Sequence, residues 1–174
     1  MRHAEIRARE VIRRLPDQPC TGAEIGVYQG LMSLHLLNQP MITLYMVDNW
    51  KAMPKYHVTQ ADQDENYQIA LRNTSFASER RVVYKMDSAD AVNQIENGSL
   101  DFVFIDADHS YIGCQRDIVL WLPKVKPDGL LCGHDYNNPD EPYGLEVKQA
   151  VDEFAREHSH VVHLGDNYTW FIHL

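Results

Sequence analysis

The chain alternates short apolar runs with longer stretches in which apolar residues recur at helical spacing. Runs rich in Val, Ile, Leu and aromatic residues predict strands, at residues 22–27, 41–48, 81–86, 100–106 and 130–135. The helical periodicity predicts helices, at residues 3–14, 30–39, 61–77, 88–95, 111–122 and 143–158. Near the end, residues 160–164 and 168–173 predict a terminal hairpin. A further turn is predicted at 126–129.

The alternation of strands and helices predicts an α/β fold with a doubly wound, mostly parallel sheet and helices on both faces. We expect residues 1–174 to form one domain, because no linker or repeat interrupts the pattern. In sheets of this kind, ligands bind beyond the carboxyl ends of the strands. The candidate functional residues are therefore those that follow the predicted strands.

Charge and composition narrow the choice of partners. The 16 Lys and Arg face 25 Asp and Glu, a net charge of −9, which argues against nucleic acid or an anionic membrane as the main partner. Arginines near the N-terminus, Arg7 among them, alternate with Glu5 and Glu10 and predict a solvated helix face, with a local basic patch as the alternative. No apolar run reaches the roughly 18 residues of a membrane span. The charged N-terminus lacks the apolar core of a secretory signal, and the three cysteines lack metal or redox spacing, so we expect a cytoplasmic location.

The first two strand ends carry candidate cofactor contacts. Gly26 and Gly30 flank the turn in "EIGVYQG", where they permit positive φ and close approach of a ligand. This turn is neither a dinucleotide fingerprint nor a phosphate loop, and a purely structural turn explains it equally well. Asp48 follows the second strand, at an offset that suits a carboxylate accepting ribose hydroxyls. A helix or turn cap is the alternative for Asp48.

The third strand end is a candidate adenine site. Asp87 can accept from an exocyclic amine, and the N–H of Ser88 or Ala89 can donate to a ring nitrogen. Asp87 or Ser88 could equally serve as the N-cap of the following helix.

The fourth and fifth strand ends carry a cluster of acidic and histidine residues. If these strands are neighbours, Asp106 and Asp135 could share a hard divalent cation such as Mg²⁺, with His134, which suits a transition metal better. Asp108 or His109 is placed to take a proton, and the carboxylates around Asp108 should raise its pKa. Alternatively, His134 and Asp135 pair with each other and hold no metal.

These motifs resemble those of class I S-adenosylmethionine-dependent methyltransferases. More narrowly, the chain is similar to the small-molecule O-methyltransferase group that includes antibiotic-sugar methyltransferases and cephalosporin-hydroxylase-like proteins. The resemblance covers about residues 20 to 174, and "FIDADHSY" with "KPDGLLCGHDY" is its most specific part. It implies a Rossmann-like, seven-stranded sheet in which the last strand is antiparallel. It also implies methyl transfer from S-adenosylmethionine to a hydroxyl of a small molecule.

The resemblance assigns a role to each candidate residue by position. For the cofactor it implies Glu24, Gly26 and Gly30 around the methionine part, Asp48 at the ribose, Asp87 and Ser88 at the adenine with Asn49 or Trp50 nearby, and Asp106 beside the sulfonium. In metal-dependent members the ligands would be Asp106, His134 and Asp135. The histidine departs from the acidic or amide ligands of those members, which puts Mg²⁺ in doubt. The base would be Asp108 or His109.

The acceptor side is less specific. Candidates come from two loops and a helix start, and they are Tyr56, His57, Tyr111, Tyr136, Asn137, Asn138 and Tyr143. These residues cover the acceptor site only thinly. A second subunit could complete the cover, which makes a homodimer a candidate assembly. The alternative functions are a binding protein that does not transfer methyl, a hydroxylase-like or aminopropyl-transferring relative, and a nicotinamide-binding domain.

Overall fold

The computed structural model describes residues 2–140 and 144–174, in which seven strands form one sheet. The strands are β1 (Cys20–Ile25), β2 (Ile42–Asp48), β3 (Arg81–Lys85), β4 (Leu100–Ile105), β5 (Val125–Gly133), β6 (His163–Leu164) and β7 (Trp170–His173). Their order is β3-β2-β1-β4-β5-β7-β6. Strands β1 to β5 pair in parallel, and β7 runs antiparallel to both β5 and β6. The predicted mostly parallel, Rossmann-like sheet with an antiparallel last strand is confirmed.

Helices cover both faces of the sheet. They are α1 (Arg2–Ile12), α2 (Leu31–Leu37), α3 (Gln60–Asn73), α4 (Ser88–Ala91), α5 (Tyr111–Trp121) and α6 (Gly144–Glu157). Local capping explains several of their starts. Thr59 and Asp62 form a capping box at α3, and the Ser110 hydroxyl accepts from the N–H of Gly113 at α5. Among the described residues, none of these helices has the length and apolar character needed to cross a membrane.

Strand β4 divides the hydrophobic core into two layers. All six of its residues are buried. Phe102 and Phe104 pack in the cluster that includes α1 and α2, whereas Val103 and Ile105 pack in the cluster that includes α5 and α6. A strand buried on both faces is expected to be apolar throughout, as β4 is apart from Asp101. The polar residues that follow β4 therefore emerge at the edge of the sheet.

Three predicted elements differ from the structure. Residues 126–129, predicted as a turn before β5, lie inside β5 at a shift of register, where Leu100 pairs with Val125 and Phe102 with Leu130. The helix predicted at 61–77 ends at Asn73, and a 3₁₀ segment, Ser75–Arg80, follows it. The helix predicted at 88–95 is α-helical only through Ala91. In the two helices the apolar pattern continues beyond the point at which backbone hydrogen bonding changes, whereas at 126–129 the Pro-Asp-Gly turn signal is accommodated as an irregularity within the strand.

Candidate active site

The glycine turn between β1 and α2 is shaped by contact with the chain itself. Gly26 has φ +91° and Gly30 has φ +69°. A Cβ built on Gly26 would overlap the carbonyl oxygen of Asp106, and one on Gly30 would lie 3.1 Å from the Cα of Ala70. The close approach that requires glycine at position 26 is therefore that of the end of β4, whose Asp106 N–H donates to Ile25 at 2.7 Å.

Asp48 ties this turn to the end of β2. Its Oδ2 accepts the backbone N–H groups of Val27 and Tyr28, each at 2.9 Å, and its Oδ1 accepts that of Trp50 at 2.9 Å. The turn-cap alternative for Asp48 is thus observed. A carboxylate has about four acceptor positions, so this arrangement leaves acceptor capacity for a ribose hydroxyl, and that contact stays a prediction.

Trp50, two residues after Asp48, packs beneath the glycine turn and hydrogen-bonds to it. Trp50 is completely buried with φ +43°, and its Nε1 donates to the carbonyl of Tyr28 at 2.8 Å. Its ring packs against Tyr67, with centroids 4.8 Å apart. Trp50 is therefore a core residue that supports the turn, and its position near the adenine stays a prediction. The Oδ1 of Asn49 accepts the N–H of Lys51 at 2.9 Å.

The polar side chains after the third strand, Asp87 and Ser88, hydrogen-bond to other groups of the protein. Asp87 is the N-cap of α4, where it accepts the N–H of Ala89 at 3.0 Å. The hydroxyl of Ser88 donates to the buried carboxylate of Asp117 at 2.6 Å, and Arg116 contacts both side chains. The capping alternative is observed here too, and the contact of Asp87 and Ser88 with adenine stays a prediction.

A cavity of about 330 Å³ opens between the glycine turn, α1 and the end of β4. Buried Glu24 lines it and accepts a hydrogen bond from the Ser33 hydroxyl. Burial raises the pKa of Glu24 from 4.5 to about 8. The remaining wall includes Arg7, Asp106 and His109. One cavity therefore contacts both the candidate cofactor loop and the candidate catalytic cluster.

The cluster forms because β4 and β5 are neighbours in the sheet. The ring of His109 lies between two carboxylates, with Nε2 3.3 Å from Asp106 Oδ1 and Nδ1 3.2 Å from Asp135 Oδ2. His134 Nδ1 lies 3.0 Å from Asp135 Oδ1 and 3.6 Å from Asp106 Oδ1. Asn138 donates to Asp135 Oδ1 at 2.7 Å. The predicted juxtaposition of Asp106 and Asp135 is present, and so is the alternative pairing of His134 with Asp135.

Asp108 is placed differently from His109. Its side chain is exposed, its Oδ1 accepts the N–H of Ser110 at 3.0 Å, and it lies over Gly113 in the first turn of α5. The expectation that Asp108 lies among carboxylates is therefore wrong: the tight turn after β4 directs it to the start of α5. Of the two candidate bases, His109 is the one that the structure brings to the cluster.

Arg7 is a cluster residue that sequence reasoning missed. The sequence predicts a solvated helix face for it, yet its Nη1 lies 3.3 and 3.4 Å from the two ring nitrogens of His134 and 3.9 Å from Asp106 Oδ2. Its buried Nε finds no acceptor among the described residues. The available signal was the small apolar pair Ala4 and Ala8, which are both buried and place α1 against the protein.

Comparisons with known proteins agree with this geometry. A family model described as "Methyltransferase domain" matches residues 23–136. The chain belongs to this methyltransferase family. The methyltransferase that the motifs resembled is thereby confirmed at the level of the family.

Individual relatives are distant. An uncharacterized protein, y4gI, of Sinorhizobium fredii is 23% identical over 101 residues, a match that spans 58% of this chain and 11% of that protein. A putative caffeoyl-CoA O-methyltransferase from Staphylococcus aureus has a TM-score of 0.72 at 11% identity, covering 100% of this chain and 84% of that one. The O-methyltransferase from Bacillus cereus in complex with SAH has a TM-score of 0.65 at 16% identity, covering 99% and 80%. At these identities the structures show a shared fold.

The acidic and histidine side chains of the cluster shift one another's pKa values. Burial alone would raise the pKa of Asp106, but hydrogen bonds with His109 and His134 outweigh it and, with the charge of Arg7, hold the pKa well below its usual range. Burial would lower the pKa of His134, yet its contacts with Asp106 and Asp135 raise it to about 9. At Asp135, burial would raise the pKa, but the hydrogen bond with His134 outweighs it, and the pKa is lowered. The carboxylates are thus balanced by positive groups of the chain itself.

This balance decides how well the site fits a divalent cation. Donor atoms of Asp106, His134 and Asp135 lie within 4.8 Å of one another, as the predicted ligand set requires. However, the ring of His109 occupies the space between the two carboxylates, and the permanently charged Arg7 contacts His134. Two unit charges of like sign that lie 4 Å apart repel each other by about 4 kcal/mol near a protein surface. A divalent ion at that distance from one unit charge is repelled by about twice as much. The residues as arranged therefore do not fit a divalent cation.

The candidate acceptor residues of the methyltransferase lie in different parts of the structure. Tyr111 and Tyr136 are tied to α6, since their hydroxyls donate to Glu153 at 2.6 Å and Asp152 at 2.7 Å. Asn137 and Asn138 line a second cavity, of about 430 Å³, with Pro139, Leu145 and Tyr168. Tyr56 is exposed and ends a short 3₁₀ helix, Pro54–Tyr56, and His57 is its exposed C-cap. Tyr143 lies outside the described residues. The second cavity adjoins the cluster because Asn138 contacts Asp135.

Proposed function

We propose that this methyltransferase moves the methyl group of S-adenosylmethionine to a hydroxyl of a small molecule. The observation that carries the proposal is the cavity in which Glu24 and the glycine turn meet Asp106 and His109. Membership of the methyltransferase family supports the transfer, and the likeness to O-methyltransferases supports an oxygen acceptor.

In this proposal the cofactor lies along the ends of β1, β2 and β3. Glu24, Gly26 and Gly30 surround the methionine part, Asp48 accepts from the ribose, and Asp87, Ser88 and Asn49 border the adenine. Glu24 suits an ammonium group, because its buried carboxylate would be favoured in the ionised form beside a positive charge. Asp106 adds a negative charge next to the sulfonium.

The chain's part in the reaction is to position the acceptor and receive its proton. S-Adenosylmethionine supplies an activated methyl group, so the protein needs to align the acceptor oxygen and exclude water. His109 is the general base: its Nε2 receives the proton of the acceptor hydroxyl when that hydroxyl replaces the contact with Asp106. Asp135, at Nδ1, holds the ring in place, and both carboxylates stabilise the imidazolium that forms. Asp108 remains beside the start of α5, where it accepts the N–H of Ser110.

We also propose a small acceptor that enters over the second cavity. The net charge of −9 and the carboxylates of the cluster favour a neutral or cationic molecule over nucleic acid. Residues 1–174 would act as one domain, and a homodimer would extend the cover over Tyr168 and Leu145. The cytoplasmic location stays a prediction.

The first experiment is calorimetry of S-adenosylhomocysteine with the metal-stripped protein in EDTA. We expect micromolar binding, and at least about tenfold weaker binding by Asp48→Ala, because the ribose contact and the turn are both lost. Asp128→Asn, an exposed carboxylate at the shift of register in β5, is the matched control and should bind as the wild type does. Circular dichroism checks the folding of each variant.

Wild-type affinity in a folded Asp48→Ala protein would contradict the cofactor placement. Turnover is then measured as S-adenosylhomocysteine released from S-adenosylmethionine with a panel of phenols and sugars. Binding without release for any acceptor would favour the alternative of a protein that holds the cofactor and transfers nothing.

A further inference from the structure

The positive charge at the end of β4 comes from α1, an element outside the matched family region, which begins at residue 23. Arg7 crosses from this helix to within 3.9 Å of Asp106 and 3.3 Å of the His134 ring. Ala4 and Ala8, on either side of Arg7, are buried and hold α1 against the protein. Helix packing therefore anchors Arg7, whose side chain is only about one-fifth exposed.

The two carboxylates already have partners that a divalent ion would need to displace. Asp135 is occupied on both oxygens, Oδ1 by His134 and Asn138 and Oδ2 by His109. Asp106 Oδ1 contacts His109, and Arg7 approaches its Oδ2. A bound ion would have to move the His109 ring and then remain beside a guanidinium that cannot lose its charge.

We propose that Arg7 is the resident cation of this centre and that it keeps a divalent ion out, so that the centre works without a metal. The role of Arg7 in methyl transfer rests on the proposed function, but its effect on metal binding does not. A guanidinium is a fixed charge placed by the fold, whereas a metal would be acquired from solution. The centre would thus keep its charge balance whatever the supply of metal ions.

The test is a titration of Mn²⁺ into the metal-stripped protein, followed by the electron paramagnetic resonance signal of free Mn²⁺. We expect wild type and Arg7→Lys, which both carry the cation, to bind no Mn²⁺ more tightly than about 1 mM. Arg7→Gln removes the charge and should bind Mn²⁺ at least about tenfold more tightly. Arg9→Gln, on the exposed side of the same helix, is the matched control and should behave as wild type.

Two results would overturn the proposal. One is wild-type binding tighter than about 1 mM that Asp135→Asn abolishes, because the ion would then share the centre with Arg7. The other is a folded Arg7→Gln protein that binds Mn²⁺ no better than wild type. Calorimetry with S-adenosylhomocysteine in EDTA is run in parallel: its failure would refute the cofactor placement and leave the manganese result intact.

Discussion

Glu24 offers a test of the site through protein stability. It lies near the end of β1, with 2% of its surface exposed, and burial raises its pKa from 4.5 to about 8. The folded protein therefore holds this proton more tightly than the unfolded chain does. Its contribution to stability is fully present below pH 4.5 and is lost as the pH rises through about 8.

The size of this loss follows from the change in pKa. Each unit corresponds to about 1.4 kcal/mol, so the change from 4.5 to about 8 sets a limit of about 5 kcal/mol at pH 9. Relaxation and water entry reduce such penalties, and we expect about 2–4 kcal/mol. Glu24→Gln has the same shape, can still accept from Ser33, and does not titrate.

The assay is urea unfolding of wild type and Glu24→Gln at pH 5 and pH 9. The free energy of unfolding of Glu24→Gln, relative to wild type, should rise by about 2–4 kcal/mol between the two pH values. Glu5→Gln, an exposed residue of α1, should show no such change. A difference between Glu24→Gln and wild type that stays the same within about 0.5 kcal/mol at both pH values would refute the reasoning.

Two further predictions concern the turn and the base. Gly26→Ala should lower the free energy of unfolding by at least about 3 kcal/mol, because strain at φ +91° adds to overlap with Asp106. Gly98→Ala, at φ +64° in open space, should lower it by only about 1 kcal/mol. Equal losses in denaturant titrations would contradict the packing argument. His109→Gln should reduce kcat at least about 100-fold with little change in S-adenosylhomocysteine affinity, and Asp108→Asn should stay within about threefold of wild type. The reverse ranking in steady-state assays would return the role of base to Asp108.

The strands and the positions of their ends follow from local patterns. Strand β4 is buried on both faces, so its apolar run could be recognised without knowing its neighbours, and the charged residues after it marked the edge of the sheet. The same reasoning located Asp48 and Asp135 at strand ends, and the alternatives stated for Asp48 and Asp87, turn cap and helix cap, are the contacts that the structure contains. These features depend on residues close together in sequence or on the general rules of parallel sheets.

The sequence by itself determined the sheet, the glycine turn and the set of polar residues at its edge, whereas the tertiary structure decided how they are used. Asp108 and His109 are adjacent in sequence, yet Asp108 accepts the N–H of Ser110 at the start of α5, whereas His109 lies between Asp106 and Asp135. Arg7 joins His134 across 127 positions of sequence. Such contacts depend on how α1 packs against the rest of the fold and on the direction in which each side chain leaves a turn, and neither is encoded in hydrophobic periodicity or in motif spacing.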